Sequence, residues 1–126
     1  DLGLGETQKR WLESELPECL LIPCLAIAHM PLGHPFSEHV MGEGSQAVAQ
    51  EAKWLSQLLL VNGVKELFCG HLHFASSYYH DELKTNVVGA ITRERNYQTS
   101  RFVELKIDGN DWQVSNVEVT ESNKHP

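Results

Sequence analysis

The spacing of apolar positions changes once along the chain and divides it in two. In residues 6–16, Trp11, Leu12 and Leu16 recur at helical intervals and predict a short amphipathic helix with an apolar stripe. Pro17 and Pro23 then bracket a connecting segment, because proline fixes φ and removes a backbone donor. Residues 24–29, Cys-Leu-Ala-Ile-Ala-His, are almost wholly apolar, the pattern of a buried strand. Residues 30–44 carry Pro31, Gly33, Pro35, Gly42 and Gly44, and a long loop is expected there. Residues 46–61 place Val48, Ala52, Leu55 and Leu59 on one helical face, with Asn62-Gly63 as the stop signal. Residues 64–69 form a second apolar run and a second buried strand.

After residue 74 the period drops to two. Residues 75–79, 85–91, 102–107 and 112–119 all read as strands, joined by turns at 80–84 and 108–111 that bring antiparallel neighbours together. Val103, Leu105 and Ile107 alternate with Glu104, Lys106 and Asp108, so one face of that strand is wet. Val117 and Val119 alternate with Glu118 in the same way. The expected class is mixed α/β: helix-strand-helix-strand, then antiparallel strands, in one small domain over residues 1–120 with a frayed tail at 121–126. Strands separated by a helix run parallel and gather ligands at their carboxyl ends. The ends of the two buried strands should therefore share one sheet edge.

Composition narrows the function. With 126 residues, 41% hydrophobic and 21% charged, the chain can bury one core and is not a disordered sequence. A net charge of -7 without a run of Lys or Arg disfavours nucleic acid and polybasic membrane contacts, both of which depend on cations meeting phosphates. No apolar stretch approaches the ~20 residues that span a bilayer, and the opening Asp1-Leu2-Gly3 is not a secretory signal. The three cysteines form no CxxC pair. They predict no disulfide framework and favour a reducing, cytoplasmic setting, although Cys19 and Cys24 are close enough in sequence to pair.

The candidate chemistry sits at the two strand ends. Gly70-His71-Leu72-His73 follows the second buried strand, and His29 closes the first. Two imidazoles one residue apart after a strand, with a third on the neighbouring strand end, make a plausible metal platform. Neutral imidazole suits Zn, Fe, Ni or Mn completed by oxygen ligands. Ordinary loop histidines, or a hydrogen-bonded core His29, are the plainer alternatives. His34 and His39, in the Gly/Pro-rich loop beside Glu38 and Glu43, read as a substrate-facing lip or as solvated loop polarity. Arg93 and Arg95 could present a planar fork to a phosphate, against surface pairing with acids such as Glu94. Trp11 and Trp54 fall at core spacing on the helices, and of Tyr78 and Tyr79 only one can face a site. Cys69 lies on the buried strand and reads as inert, since a reactive thiolate needs an exposed, electropositive setting. A Gly-rich phosphate loop and a Gly-x-Ser-x-Gly elbow are both missing from the sequence.

Three segments in order carry a family likeness: Gln8-x-x-Trp11-Leu12-x-x-x-Leu16, then Ala26-Ile27-Ala28-His29-Met30-Pro31, then Phe68-Cys69-Gly70-His71-Leu72-His73. Over most of its length the chain resembles the C-terminal half of a calcineurin-like metallophosphoesterase, with its Gln-x-x-Trp-Leu helix, His-x-Pro strand end and Gly-His-x-His motif. The resemblance implies the second half of a four-layer α-β-β-α sandwich. It implies a metal-dependent hydrolase of phosphomonoesters or phosphodiesters, with two divalent ions (Mn, Fe or Zn) at a dinuclear centre. His29 and His71 would bind one ion and His73 the other, and a phosphoester would be the substrate. The family's Asp-x-His, Gly-Asp-x-x-Asp and Gly-Asn-His-Asp/Glu motifs precede the first helix and are absent here. The bridging carboxylate, the Asn ligand and the acid histidine are therefore expected from an N-terminal half upstream, and the chain alone is expected to be inactive. An alternative from another class is a non-catalytic half-domain, a scaffold or partner-binding module whose open sheet edge is covered by dimerisation. Other His-x-His metalloenzymes fit less well. A cupin needs a Glu nearer the pair than Glu82, and a metallo-β-lactamase-like site needs an Asp-His continuation that Phe74, Ala75 and Ser76 do not supply.

Overall fold

A computed structural model describes residues 3–34 and 46–120. They form two helices and two sheets, a mixed α+β arrangement. Helix α1 spans Glu6–Glu15, with Glu6 favourably placed against its N-terminal dipole. It tightens into a 3-10 turn at Leu16–Leu20, where Pro17 cannot continue the α-helical ladder. Only the end of the expected stripe is interior: Leu16 is buried, Leu12 packs beside the core, and Trp11 is 60% exposed. The reading of Trp11 as a core residue is corrected accordingly. Periodicity places it on the right face, but nothing among the described residues covers its end of the helix.

Strand β1 is Ala26–Ile27, much shorter than the 24–29 expected. Cys24 is drawn back to Cys19 in a disulfide, with Cα atoms 5.4 Å apart. This is the one pairing the sequence leaves open, although no disulfide framework is expected from it. Disulfides persist in oxidising surroundings, so the cysteines no longer favour a cytoplasmic setting. Beyond Ile27 the ladder continues irregularly, through Ala28 N to Phe68 O at 2.9 Å and Gly70 N to His29 O at 3.0 Å.

Helix α2 spans Gln46–Val61 and buries Ala52, Ser56 and Leu59. It stops as the Asn62-Gly63 signal requires. Gly63 takes φ 81°, Gly63 N donates to Leu60 O at 3.0 Å, and Val64 N donates to Leu59 O at 2.9 Å. Those two bonds are the Schellman pair, available to glycine without a Cβ penalty. Lys9 ties α1 to α2 through Glu51 at 3.2 Å and lies 5.6 Å from the Trp54 ring centre. Its hydrogen bond to Glu51 leads the effects that hold the ammonium above its ordinary value.

The first sheet has the order β1-β2-β4-β3, with β2 at Glu66–Cys69, β3 at Ser76–His80 and β4 at Leu83–Val87. β1, β2 and β4 are parallel, and β3 runs antiparallel on the outer edge. The β3–β4 turn is tight, with Asp81 at φ 53°. Strand β4 therefore starts and ends earlier than the 85–91 expected. Leu16, Leu59, Val64, Leu67 and Leu83 form the core between the helices and this sheet.

The second sheet is the hairpin of β5 (Arg101–Asp108) and β6 (Asp111–Glu118), turned at Gly109 with φ 60°. Its register pairs Val103 with Asn116, Leu105 with Val114 and Ile107 with Trp112, so these share a face. Val117 is paired with Phe102 and belongs to the opposite face. The hairpin is joined to the first sheet through Glu66. Trp112 Nε1 donates to Glu66 Oε2 at 3.1 Å, and Asn86 Nδ2 donates to Glu66 Oε1 at 2.9 Å. Lys84 Nζ lies 3.5 Å from that carboxylate, and Ser77 Oγ donates to Asn86 Oδ1 at 2.9 Å. The described helices include none long and apolar enough to cross a membrane.

Candidate metal centre

Parallel pairing of β1 with β2 delivers His29 and the Gly70–His73 turn to the same sheet edge. The backbone bond from Gly70 N to His29 O locks the two strand ends together. His29 Nε2 and His71 Nδ1 then lie 3.2 Å apart, with ring centres 5.2 Å apart and planes at 82°. At this separation a protonated nitrogen of one ring can donate to the bare nitrogen of the other. The same separation suits two ligands of one cation. With metal–nitrogen bonds of about 2.05 Å in a tetrahedral site, the ligating nitrogens sit about 3.3 Å apart. The chemistry and spacing of this pair fit half of a metal site.

The turn itself is unusual. His71 has φ 67° and His73 has φ 63°, both left-handed, and Leu72 N closes on Gly70 O at 2.8 Å. Each non-glycine residue held there costs about 1–2 kcal/mol, a strain that survives only where the surroundings over-determine the backbone. His73 is half-buried, and its Nδ1 is a buried atom with no hydrogen-bond partner among the described residues. Such an orphaned nitrogen has a lone pair or proton still to be satisfied. His73 does not join the other two as a cage. No group of three or more His, Cys, Asp or Glu side chains converges among the described residues.

The remaining sequence candidates are dispersed. His34 is 2% exposed, so it does not form a lip. Its Nε2 is 3.2 Å from Ser76 Oγ, and its ring stands edge-on to Phe74 and Tyr78. His39, with Glu38 and Glu43, lies outside the described residues. Arg93 is exposed and lines a groove of about 560 Å³ with Asn96, Gln98, Thr99 and Ser100. Of the tyrosine pair, Tyr78 turns inward and donates its hydroxyl to Leu32 O, while Tyr79 is exposed. Cys69 is buried, with Sγ 3.4 Å from Asn86 O, and burial pushes its thiol up to about 12. It is no nucleophile.

Two further features border the site. An apolar groove of about 420 Å³ runs beside β1, lined by Leu4, Trp11, Leu12, Ile27, His29 and Leu55 among others. On the other side, Gln98 grips the backbone of Ala75, two residues beyond His73. Sequence reasoning missed Gln98, because a polar amide in an aperiodic segment carries no pattern. Comparison with protein-family models and with curated proteins returns no match.

Proposed function

We propose that the chain is the C-terminal part of a calcineurin-like metallophosphoesterase domain, one half of a four-layer sandwich whose dinuclear centre hydrolyses phosphoesters. The observation that carries this reading is the approach of His29 Nε2 to His71 Nδ1 at 3.2 Å, at the carboxyl ends of adjacent parallel strands. His29 and His71 would hold one divalent ion, and the unpartnered Nδ1 makes His73 the candidate for the second. Two such ions, drawn from Mn, Fe or Zn, would supply an activated water and neutralise phosphoryl charge when bound. The imidazoles would bind through their ring-nitrogen lone pairs. A bridging carboxylate, an Asn ligand and an acid histidine would come from residues upstream. Arg93, exposed on its own groove, is a candidate in this chain for meeting a substrate phosphate through its planar fork.

The second reading is the non-catalytic module. It is favoured by the edge of β1, unpaired among the described residues, where Ile27 is 79% exposed beside the apolar groove. Metal stoichiometry of the full protein, measured beside His29→Ala and His71→Ala, separates the two. About two ions per chain, reduced in both variants together with hydrolysis of a generic phosphoester, supports the phosphoesterase. One ion or none, unchanged by either substitution, overturns it and leaves the module.

A further inference from the structure

The turn that carries His71 and His73 is anchored at both ends, and the two anchors differ in kind. At the front, Gly70 N binds the main-chain oxygen of His29 at 3.0 Å, a contact any side chains would permit. At the back, both main-chain polar groups of Ala75 are taken by one side chain. Ala75 N donates to Gln98 Oε1 at 2.7 Å, and Gln98 Nε2 donates to Ala75 O at 3.3 Å. A carboxamide offers an acceptor and a donor side by side, so Gln98 imitates a neighbouring strand at the point where β3 is about to begin.

Gln98 is itself fixed. Its backbone N donates to Asn96 Oδ1 at 2.9 Å, and Asn96 Nδ2 donates to Ala90 O and Thr92 O, both at 3.0 Å. Arg101 N also donates to Ala90 O at 3.0 Å, which joins this loop to the start of β5. The Arg101 stem crosses Gly89 so closely that a Cβ there would lie 2.5 Å from its Cγ and 3.4 Å from the Ala75 side chain. The loop between β4 and β5 is thus a braced support, and Gln98 is its point of contact with the histidine turn.

We propose that Gln98 is a positioning residue, holding the His71–His73 turn in its left-handed conformation and thereby setting His71 against His29. Between the two anchors lie both strained histidines, with φ 67° and 63°. Strained backbone relaxes when what determines it is removed, and among the described residues the side chain that binds the Ala75 main chain is Gln98, through this amide pair. The value of the positioning for metal binding rests on the metallophosphoesterase reading, whereas the positioning itself does not.

Gln98→Met in the full protein keeps the length of the side chain and removes both hydrogen bonds. Gln98→Glu keeps the acceptor for Ala75 N and sets a carboxylate against Ala75 O. The first readout is the imidazole nitrogen spectrum of the metal-free protein by NMR. Gln98→Met should shift the His71 and His29 signals and the Ala75 amide, and Gln98→Glu should keep part of the native Ala75 signal. Trp112→Phe loses a hydrogen bond elsewhere and should leave all three in place, which separates positioning from general loss of stability. The second readout is affinity for Zn²⁺ alone, expected to fall about 10-fold or more in Gln98→Met, the usual cost of losing a residue that orients a ligand. Unchanged His71 and Ala75 signals in both Gln98 variants, or equal shifts in Trp112→Phe, overturn the proposal. If the signals move as expected while the wild type binds no Zn²⁺, Gln98 positions the turn and the metallophosphoesterase reading is what fails.

Discussion

A thiol buried on a central strand behaves unlike one in water. Cys69 is held beside Asn86 O, and burial pushes it up to about 12, whereas an unfolded thiol ionises near ~8.5. Below that unfolded value both states keep the proton and the stabilisation is fully present. As pH rises the unfolded chain alone releases it, and the contribution is lost as pH climbs through about 12. Thermal melts should therefore show stability falling above pH ~8.5, less steeply in Cys69→Ala, and a thiol reagent at pH 8 should label Cys69 only as the chain unfolds. The same scale explains Gly33. Its φ is 53°, and a Cβ there would lie 2.2 Å from His80 Nδ1. Gly33→Ala combines a left-handed backbone with a clash against a half-buried ring, and should cost about 1–3 kcal/mol in denaturant unfolding. An unchanged midpoint would mean that the loop moves off His80 freely.

Elements are held to one another by a few polar contacts, and these carry their own pH signature. Burial alone would raise the Glu66 carboxyl, but the hydrogen bonds from Trp112 and Asn86 and the charge of Lys84 together hold it below the ordinary carboxylate value. The stabilisation this gives is present above the unfolded value near ~4.3 and is lost as pH falls through the lower folded value. The Trp112 indole should report it: acid should loosen the hairpin from the first sheet, and Glu66→Gln should flatten the transition. The Cys19–Cys24 link closes a short loop, and cutting it should cost about 2 kcal/mol by chain entropy. Equal melts with and without a dithiol would remove that estimate. Elements were legible in the sequence where their determinants are local. Helix α2 follows from Val48, Ala52, Leu55 and Leu59, and its end from Asn62-Gly63. Meeting of His29 with His71 follows from two apolar runs separated by a helix. Partner choice was not legible. Nothing in Leu83–Val87 announces that it pairs with β2 as well as β3. Trp11 has the spacing of a core residue, but a spacing does not say whether a neighbour exists to cover it. His34 sits in a polar loop yet is buried, because Ser76, Phe74 and Tyr78 reach it from a strand far along the chain.

At the scale of the molecule, the apolar surface is distributed unevenly. The face of α2 and the middle of the first sheet are closed, while the β1 side is open. Ile27 is 79% exposed and Trp11 60% exposed, and both line the groove of about 420 Å³ that reaches His29. Among the described residues β1 is also the edge of its sheet, with β2 as its one neighbour in the strand order. An edge strand with unpaired main-chain groups and an exposed apolar side chain templates further pairing, and natural edges are blunted by charge or cover. Both functional readings require this edge to be covered, by another part of the same domain or by another chain. The 126-residue chain by itself should accordingly associate as its concentration rises, in sedimentation velocity, despite its net charge of -7. Ile27→Lys places a cation on that edge and should restore a single slow species without lowering the melting temperature, since Ile27 contributes little to the core when it is exposed. The pair His29 and His71 should be unaffected, because their strand ends are joined through the backbone of Gly70 and not through Ile27. A monomer at every concentration would mean that the β1 edge is satisfied within the chain itself, and would count against both the half-domain phosphoesterase and the dimeric module.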